Sequence, residues 1–288
     1  MNVKETKIKW ESLVPTWDSA GPPATPSDDD IKIYSKFICS AMNENQSGNI
    51  LLLGCTPRIR KLISKLNLTV TCVDISEDML LNTTSFLSDL EKNESYVCQD
   101  WLKMNLGCQY SCIIGDKVLD NVPYKNWNKF KERLLSHLLP GGSLIIRIAP
   151  QDYSLLGCSF MFLLKKWTKQ FENGQVSLEN AASSLWEQAL GASAKSTPGI
   201  QSIALFNDEI TELSNTLECL PEVMATVFCE FKKLFEKSIE YKWTSYCYED
   251  VIDKFNDEFE LVSFEHANDY EVSYRQPILH FKKNNNSR

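Results

Sequence analysis

Histidine is scarce: His137, His266 and His280 are the only three in 288 residues. Three scattered imidazoles rarely build a metal site or a Ser-His-Asp triad, so neither chemistry is expected. His137 precedes Leu-Leu-Pro-Gly-Gly, where capping of a helix end accounts for it. Cysteine is plentiful, with ten residues, yet no two are spaced Cys-x-x-Cys. Cys108 and Cys112 have no second pair in register, so no metal site is expected and the cysteines read as reduced, mostly buried small hydrophobes. No apolar run approaches the roughly 20 residues that span a bilayer. Met1–Trp10 alternates charged and apolar residues without the apolar stretch of a signal peptide, so a cytoplasmic location and no membrane partner are expected. Basic excess is missing too: 30 Lys and Arg against 38 Asp and Glu leave a net charge of −8. Phosphate backbones are held by clustered Lys and Arg, so nucleic acid is not an expected partner. The pairs Lys165-Lys166 and Lys232-Lys233 read as solvated helix faces.

What is present is an ordinary globular composition, 43% hydrophobic, long enough to bury a sizeable core. Ala20–Ser27 is rich in Pro and Gly and cannot be helical; Ser27 or Asp28 can then cap a helix to about Met42. Short apolar runs at Asn49–Leu53, Thr69–Val73, Tyr96–Cys98, Tyr110–Ile114 and Ser143–Ile148 read as buried strands. Helical segments are expected between them at Arg58–Asn67, Glu77–Leu90 and Trp127–Leu139, the last stopped by Pro140-Gly141-Gly142. Strands alternating with helices point to a parallel sheet covered on both faces, with every strand's carboxyl end on one edge. Ligands bind at that edge in open α/β sheets. From Gln151 the periodicity turns helical: Leu155–Phe171, Leu178–Leu190, Asp208–Leu217 and Glu222–Ile239, interrupted at Gly191–Gly199. Strand character returns at Phe259–Glu265 and Ser273–Phe281.

Three features sit at consecutive strand ends. Gly54 follows the first strand and would let backbone approach a ligand, though any tight turn also uses glycine. Asp74 ends the second strand, twenty residues on, where a carboxylate can accept both hydroxyls of a ribose or simply cap the next helix. Asp100-Trp101 follows the third: the acid can accept from an exocyclic amine and the indole can stack on a purine, or the Trp can belong to the core. Their conjunction is more specific than any one of them.

The runs NILLLGCTPRI, VTCVDISEDML, VCQDWLKMNL, CIIGDKVLDNVP and LLSHLLPGGSLIIRI resemble, in order, the class I S-adenosylmethionine-dependent methyltransferases. The resemblance implies an α/β Rossmann-like fold with a seven-stranded, mostly parallel sheet, whose last strand is antiparallel. It also implies that Gly54, Cys55 and Thr56 line the methionine and ribose of S-adenosylmethionine. Asp74 would hold the ribose hydroxyls, Asp100 and Trp101 the adenine, and Ile75 or Met79 the ring face. The family's usual Gly-x-Gly-x-Gly loop is incomplete: Thr56 and Arg58 stand where its later glycines would be. The Gly-x-Thr-Pro form is similar to that of a bacterial subgroup with an N-terminal Trp, a Gly-Pro-Pro and a Gly-Asp after strand four. Trp17, Gly21-Pro22-Pro23 and Gly115-Asp116 match those features.

The family places its acceptor after strand four, which makes Asp116 a candidate base, substrate anchor or partner of the cofactor's amino group. Tyr153 is a second catalytic candidate; Tyr124 and Asp120 are weaker ones. Arg147, in a buried strand, needs an acidic partner. The expected organisation is one domain over 1–288. It has an N-terminal arm and helix (1–47), a cofactor core (48–150), a helical insertion between strands five and six that caps the substrate (151–257), and a closing strand pair (258–282). The expected activity is methyl transfer to a small molecule by in-line displacement. Two alternatives are a non-catalytic domain that binds the cofactor or a partner, suggested by the incomplete glycine loop, and a nicotinamide dehydrogenase, disfavoured by the missing Gly-x-Gly-x-x-Gly.

Overall fold

The computed structural model describes residues 21–44, 49–82, 93–194 and 198–284. Trp17, the arm before Gly21 and the expected helix beyond Asn82 lie outside the described residues. In chain order the first elements are α1 (Asp28–Glu44), β1 (Asn49–Leu53), α2 (Pro57–Lys65), β2 (Thr69–Asp74), α3 (Glu77–Asn82) and β3 (Glu94–Cys98). Next come β4 (Tyr110–Asp116), α4 (Val118–Asn121), α5 (Trp127–His137) and β5 (Leu138–Arg147). A helical stretch follows: α6 (Phe160–Glu172), α7 (Leu178–Ala192), β6 (Gly199–Gln201), α8 (Asn207–Asn215), α9 (Glu222–Ser238) and β7 (Trp243–Ser245). The chain closes with α10 (Tyr248–Phe255), β8 (Phe259–Glu265) and β9 (Ile278–Lys283).

These elements divide into two compact units. The sheet unit takes described residues 26–149 and 248–284; the helical unit takes 21–25 and 150–247. Seven strands form the sheet in the order β3-β2-β1-β4-β5-β9-β8. The first five run parallel, while β9 runs antiparallel to both β5 and β8. On α1 the buried positions Ile33, Tyr34, Phe37, Ile38 and Ala41 recur at helical spacing. That stripe packs with Ile59 and Ile63 of α2 and with Ile50, Leu52, Cys112, Ile114 and Ile145 of the strands. Burying each such side chain contributes about 1.5–3 kcal/mol, so sheet and α1 form one core.

The structure departs from the sequence expectations in instructive places. β3 is an edge strand and is not apolar throughout: Ser95 and Cys98 are exposed. α5 ends at His137, and β5 begins immediately, running through Pro140-Gly141-Gly142 instead of after it. A register shift between the Tyr110 and Cys112 pairings absorbs that segment. A Cβ on Gly142 would lie 2.9 Å from the Leu139 carbonyl and 3.2 Å from that of Ser111, so the bulge admits only glycine there. The helix expected from Leu155 starts at Phe160 because Gly157 turns the chain at φ +78° and Ser159 caps the new start by accepting from Phe162 N. The last strand begins at Ile278, after Pro277, which has no N–H to give a ladder.

The helical unit is built on α6, α7 and α9, with Phe160, Phe228 and Phe231 in mutual ring contact. Gln188 gathers donors in it, accepting from Trp167 Nε1 at 3.2 Å. β6 and β7 form a two-stranded antiparallel ribbon. α10, which the sequence reading assigned to the insertion, belongs to the sheet unit. There Phe255 stacks on Phe281, and Lys131 donates to the Lys254 carbonyl at 2.7 Å.

Candidate active site

The carboxyl edge of β1, β2 and β3 brings Gly54, Asp74 and Trp101 together. Gly54 takes φ +87°, a conformation that side chains resist. Its N–H donates to the Val73 carbonyl at 2.8 Å, and Trp101 Nε1 donates to the same oxygen at 2.8 Å. One carbonyl at the end of β2 thus fixes both the first loop and the indole. A Cβ on Gly54 would point at Asp74 Oδ2 (3.8 Å) and Trp101 Cζ2 (3.9 Å), so the missing side chain leaves a notch between carboxylate and ring edge. Phe130 supports the indole at a centroid distance of 6.2 Å.

Asp74 is 5% exposed. Oδ1 accepts from Ser76 N at 2.8 Å, while Oδ2 has the Cys55 thiol at 3.9 Å. Burial pushes the carboxyl from 3.8 up to about 6, against the opposing backbone hydrogen bonds from Ser76 and Ile75. The helix cap is Ser76, whose Oγ accepts from Met79 N at 3.2 Å, so Asp74 does not serve as one. Ile75 is half-buried and its carbonyl accepts from the Cys98 thiol; Met79 is packed in the core beside Leu80 and Cys55. Asp100 sits in a tight turn, its Oδ1 accepting from Leu102 N at 2.9 Å.

The first loop takes its own path. Cys55 and Thr56 are buried, Pro57 opens α2, and Thr56 stands at the helix start without a side-chain cap bond. Arg58 lies inside α2, where it donates to the Pro26 carbonyl at 2.7 Å and pairs with Asp28. It therefore fastens the start of α1 to the first loop, a use of that position unrelated to a glycine's.

At the end of β4 the geometry corrects an expectation. Asp116 is not poised as a base or substrate anchor: Arg147 Nε donates to its Oδ1 at 2.6 Å and Nη2 to its Oδ2 at 3.1 Å. Both side chains are sealed from solvent. Arg147 Nη1 also donates to Asp30 Oδ2 (2.9 Å) and Tyr270 Oη (3.2 Å). Burial opposes its charge, yet Asp116 and Asp30 hold the guanidinium well above its ordinary value. The Tyr34 hydroxyl donates to the Gly115 carbonyl at 2.9 Å and accepts from Arg147 N at 3.2 Å, bridging the ends of β4 and β5. Just beyond, Lys117 is left-handed at φ +51°, an uncommon state for a residue with a side chain.

Tyr153 belongs to the helical unit and is exposed. Tyr124 packs on Trp127 with Lys254 Nζ 5.3 Å above its ring, and Asp120 is buried. Sequence reasoning passed over Asp30, Tyr34 and Tyr270. One signal was present: Ser27-x-x-Asp30 is a capping box, with Asp30 N donating to Ser27 Oγ and Ser27 N to Asp30 Oδ2.

No family model matches the sequence, and no curated protein is a significant match. Solved structures do resemble the chain. The CcbJ methyltransferase of Streptomyces caelestis superposes with a TM-score of 0.58 at 12% identity, over 97% of this chain and 99% of that one. The N-methyltransferase NodS of Bradyrhizobium japonicum, solved with S-adenosylhomocysteine, gives 0.53 at 11%, over 96% and 98%. A Rhodobacter sphaeroides protein described as a Zn-dependent alcohol dehydrogenase gives 0.58 at 16%, over 96% and 98%. At these identities the likeness is one of fold. The sheet agrees with what the sequence resemblance implies: seven strands, the first five parallel and the last, β9, antiparallel.

Proposed function

We propose that the chain is an S-adenosylmethionine-dependent methyltransferase with a small-molecule acceptor. The observation that carries this reading is the notch made by Gly54, Asp74 and Trp101 at the carboxyl edge of a methyltransferase-type sheet. The residues fit the cofactor. Removal of a Cβ at Gly54 leaves room beside a buried carboxylate whose Oδ2 faces the Cys55 thiol at 3.9 Å. Asp74 holds the ribose hydroxyls there, the Asp100–Trp101 turn receives the adenine, and the Gly54–Thr56 backbone flanks the methionine. When bound, the cofactor supplies an electrophilic methyl carbon.

The chain's own task is to align the acceptor in line with that carbon and to exclude water. Asp116, occupied on both oxygens by Arg147, takes no proton in this scheme. An acceptor with no proton to lose, such as a tertiary amine or a thiolate, needs no base.

Calorimetric titration tests the reading. The chain should bind S-adenosylhomocysteine with one-to-one stoichiometry and show no affinity for NADH. Binding of NADH in its place would favour the dehydrogenase reading, and binding of neither would remove the cofactor from the account.

A further inference from the structure

We propose that the buried Asp30–Arg147–Asp116 cluster receives a cationic head group of the ligand, an ammonium, with Asp30 Oδ1 as its acceptor. Among the described residues this cluster sets two carboxylates against one guanidinium, one carboxylate in excess. The two hydroxyls that complete it, Tyr34 and Tyr270, are pushed up by burial and stay neutral. All three charged side chains are almost fully sealed from solvent. An excess charge in such surroundings is costly unless a partner of opposite sign is present.

A second observation points to the same partner. Asp30 Oδ2 accepts from Ser27 N and Arg147 Nη1, while the buried Oδ1 has no hydrogen-bond partner. Buried carboxylate oxygens are rarely left bare, and a group that brings a charged donor to one relieves the penalty on binding. The placement suits a ligand. Arg147 and Asp116 end β5 and β4 at the carboxyl edge of the sheet, and Arg58 ties the Pro26–Asp28 turn to the loop that follows Gly54. The identity of the cation rests on the methyltransferase reading: it is the α-ammonium of the cofactor's amino-acid part. On that basis Asp116 and Arg147 act as a frame that holds Asp30 in place, and Asp30 is the contact.

The experiment compares S-adenosylhomocysteine with its deamino analogue and with 5′-methylthioadenosine, which lacks the amino-acid part. All three are titrated into the full chain and into Asp30→Asn, which keeps an acceptor for Ser27 N and Arg147. The unmodified chain should bind S-adenosylhomocysteine about tenfold or more tighter than the deamino analogue, the size of one charge-assisted hydrogen bond. Asp30→Asn should lose that preference and keep its affinity for 5′-methylthioadenosine within about twofold. Equal affinity of the unmodified chain for the parent and deamino ligands overturns the proposal even if the variant fails to fold. An equal loss for all ligands in a folded variant overturns it as well. Binding of none of them by the unmodified chain overturns the methyltransferase reading, and the inference with it.

Discussion

Replacing Asp74 by Asn should make the sheet unit more stable and the cofactor site worse. The carboxyl rises from 3.8 to about 6 on burial. Each tenfold gain in proton affinity corresponds to about 1.4 kcal/mol, so the ionised form costs the fold roughly 3 kcal/mol. The sign follows from linkage. A raised acid favours the protonated folded state, so Asp74's contribution to stability is complete below about 4 and is lost as pH rises through about 6. Asn removes the titration and keeps an oxygen for Ser76 N, the 2.8 Å bond that fixes the turn. Urea titrations followed through amide exchange of β1 and β2 would read the sheet unit by itself. Asp74→Asn should exceed the parent by roughly 1–3 kcal/mol at pH 8, with the gap closing toward pH 4. Affinity for S-adenosylhomocysteine should fall by about tenfold or more, because an ionised acceptor for the ribose diol is gone. In the parent chain, that affinity should weaken as pH drops below about 6. A stability gap independent of pH, or a variant less stable at pH 8, would refute the claim that desolvation governs this carboxyl.

Other substitutions probe the frame around the notch. Gly54→Ala should cost about 1–2 kcal/mol through its φ of +87°, since the added Cβ itself meets only ordinary contacts at 3.8 and 3.9 Å; an unchanged urea midpoint would mean the turn tolerates side chains. Tyr34→Phe removes the hydroxyl between the Gly115 carbonyl and Arg147 N and should cost about 1–3 kcal/mol by denaturant titration; a loss under about 0.5 kcal/mol would show that water replaces it. Arg60→Leu should cost about 3–5 kcal/mol by stranding Glu94, its sealed partner at 2.7 Å, whereas Arg60→Leu with Glu94→Leu should recover most of the loss. Failure of the double variant to recover would locate the cost in packing.

The parts legible in the sequence are those whose signal is local. β1 and β8 match the expected spans, because an apolar or alternating run there is bounded by turn residues. The meeting of Gly54, Asp74 and Trp101 was legible because the ends of parallel strands necessarily share one edge. What escaped depends on contacts across long separations. Asp30 and Arg147 lie 117 residues apart, and nothing in either segment announces that Arg147 takes both Asp116 and Asp30. Asp116 therefore read as a free acid. The strand start at Leu138 was hidden by Pro-Gly-Gly, which ordinarily ends an element but here forms a bulge at a backbone approach open only to Gly142. β6 and β7, three residues each, are too short to show any period.

The central claim is that the Gly54–Asp74–Trp101 notch receives the adenosyl group. A crystal structure of the chain with S-adenosylhomocysteine tests it most directly. Both ribose hydroxyls should lie within hydrogen-bond distance of the Asp74 carboxylate, with the adenine against the Asp100–Trp101 turn. A nucleoside bound away from the ends of β1 and β2, or one whose ribose contacts a different acid, would contradict it.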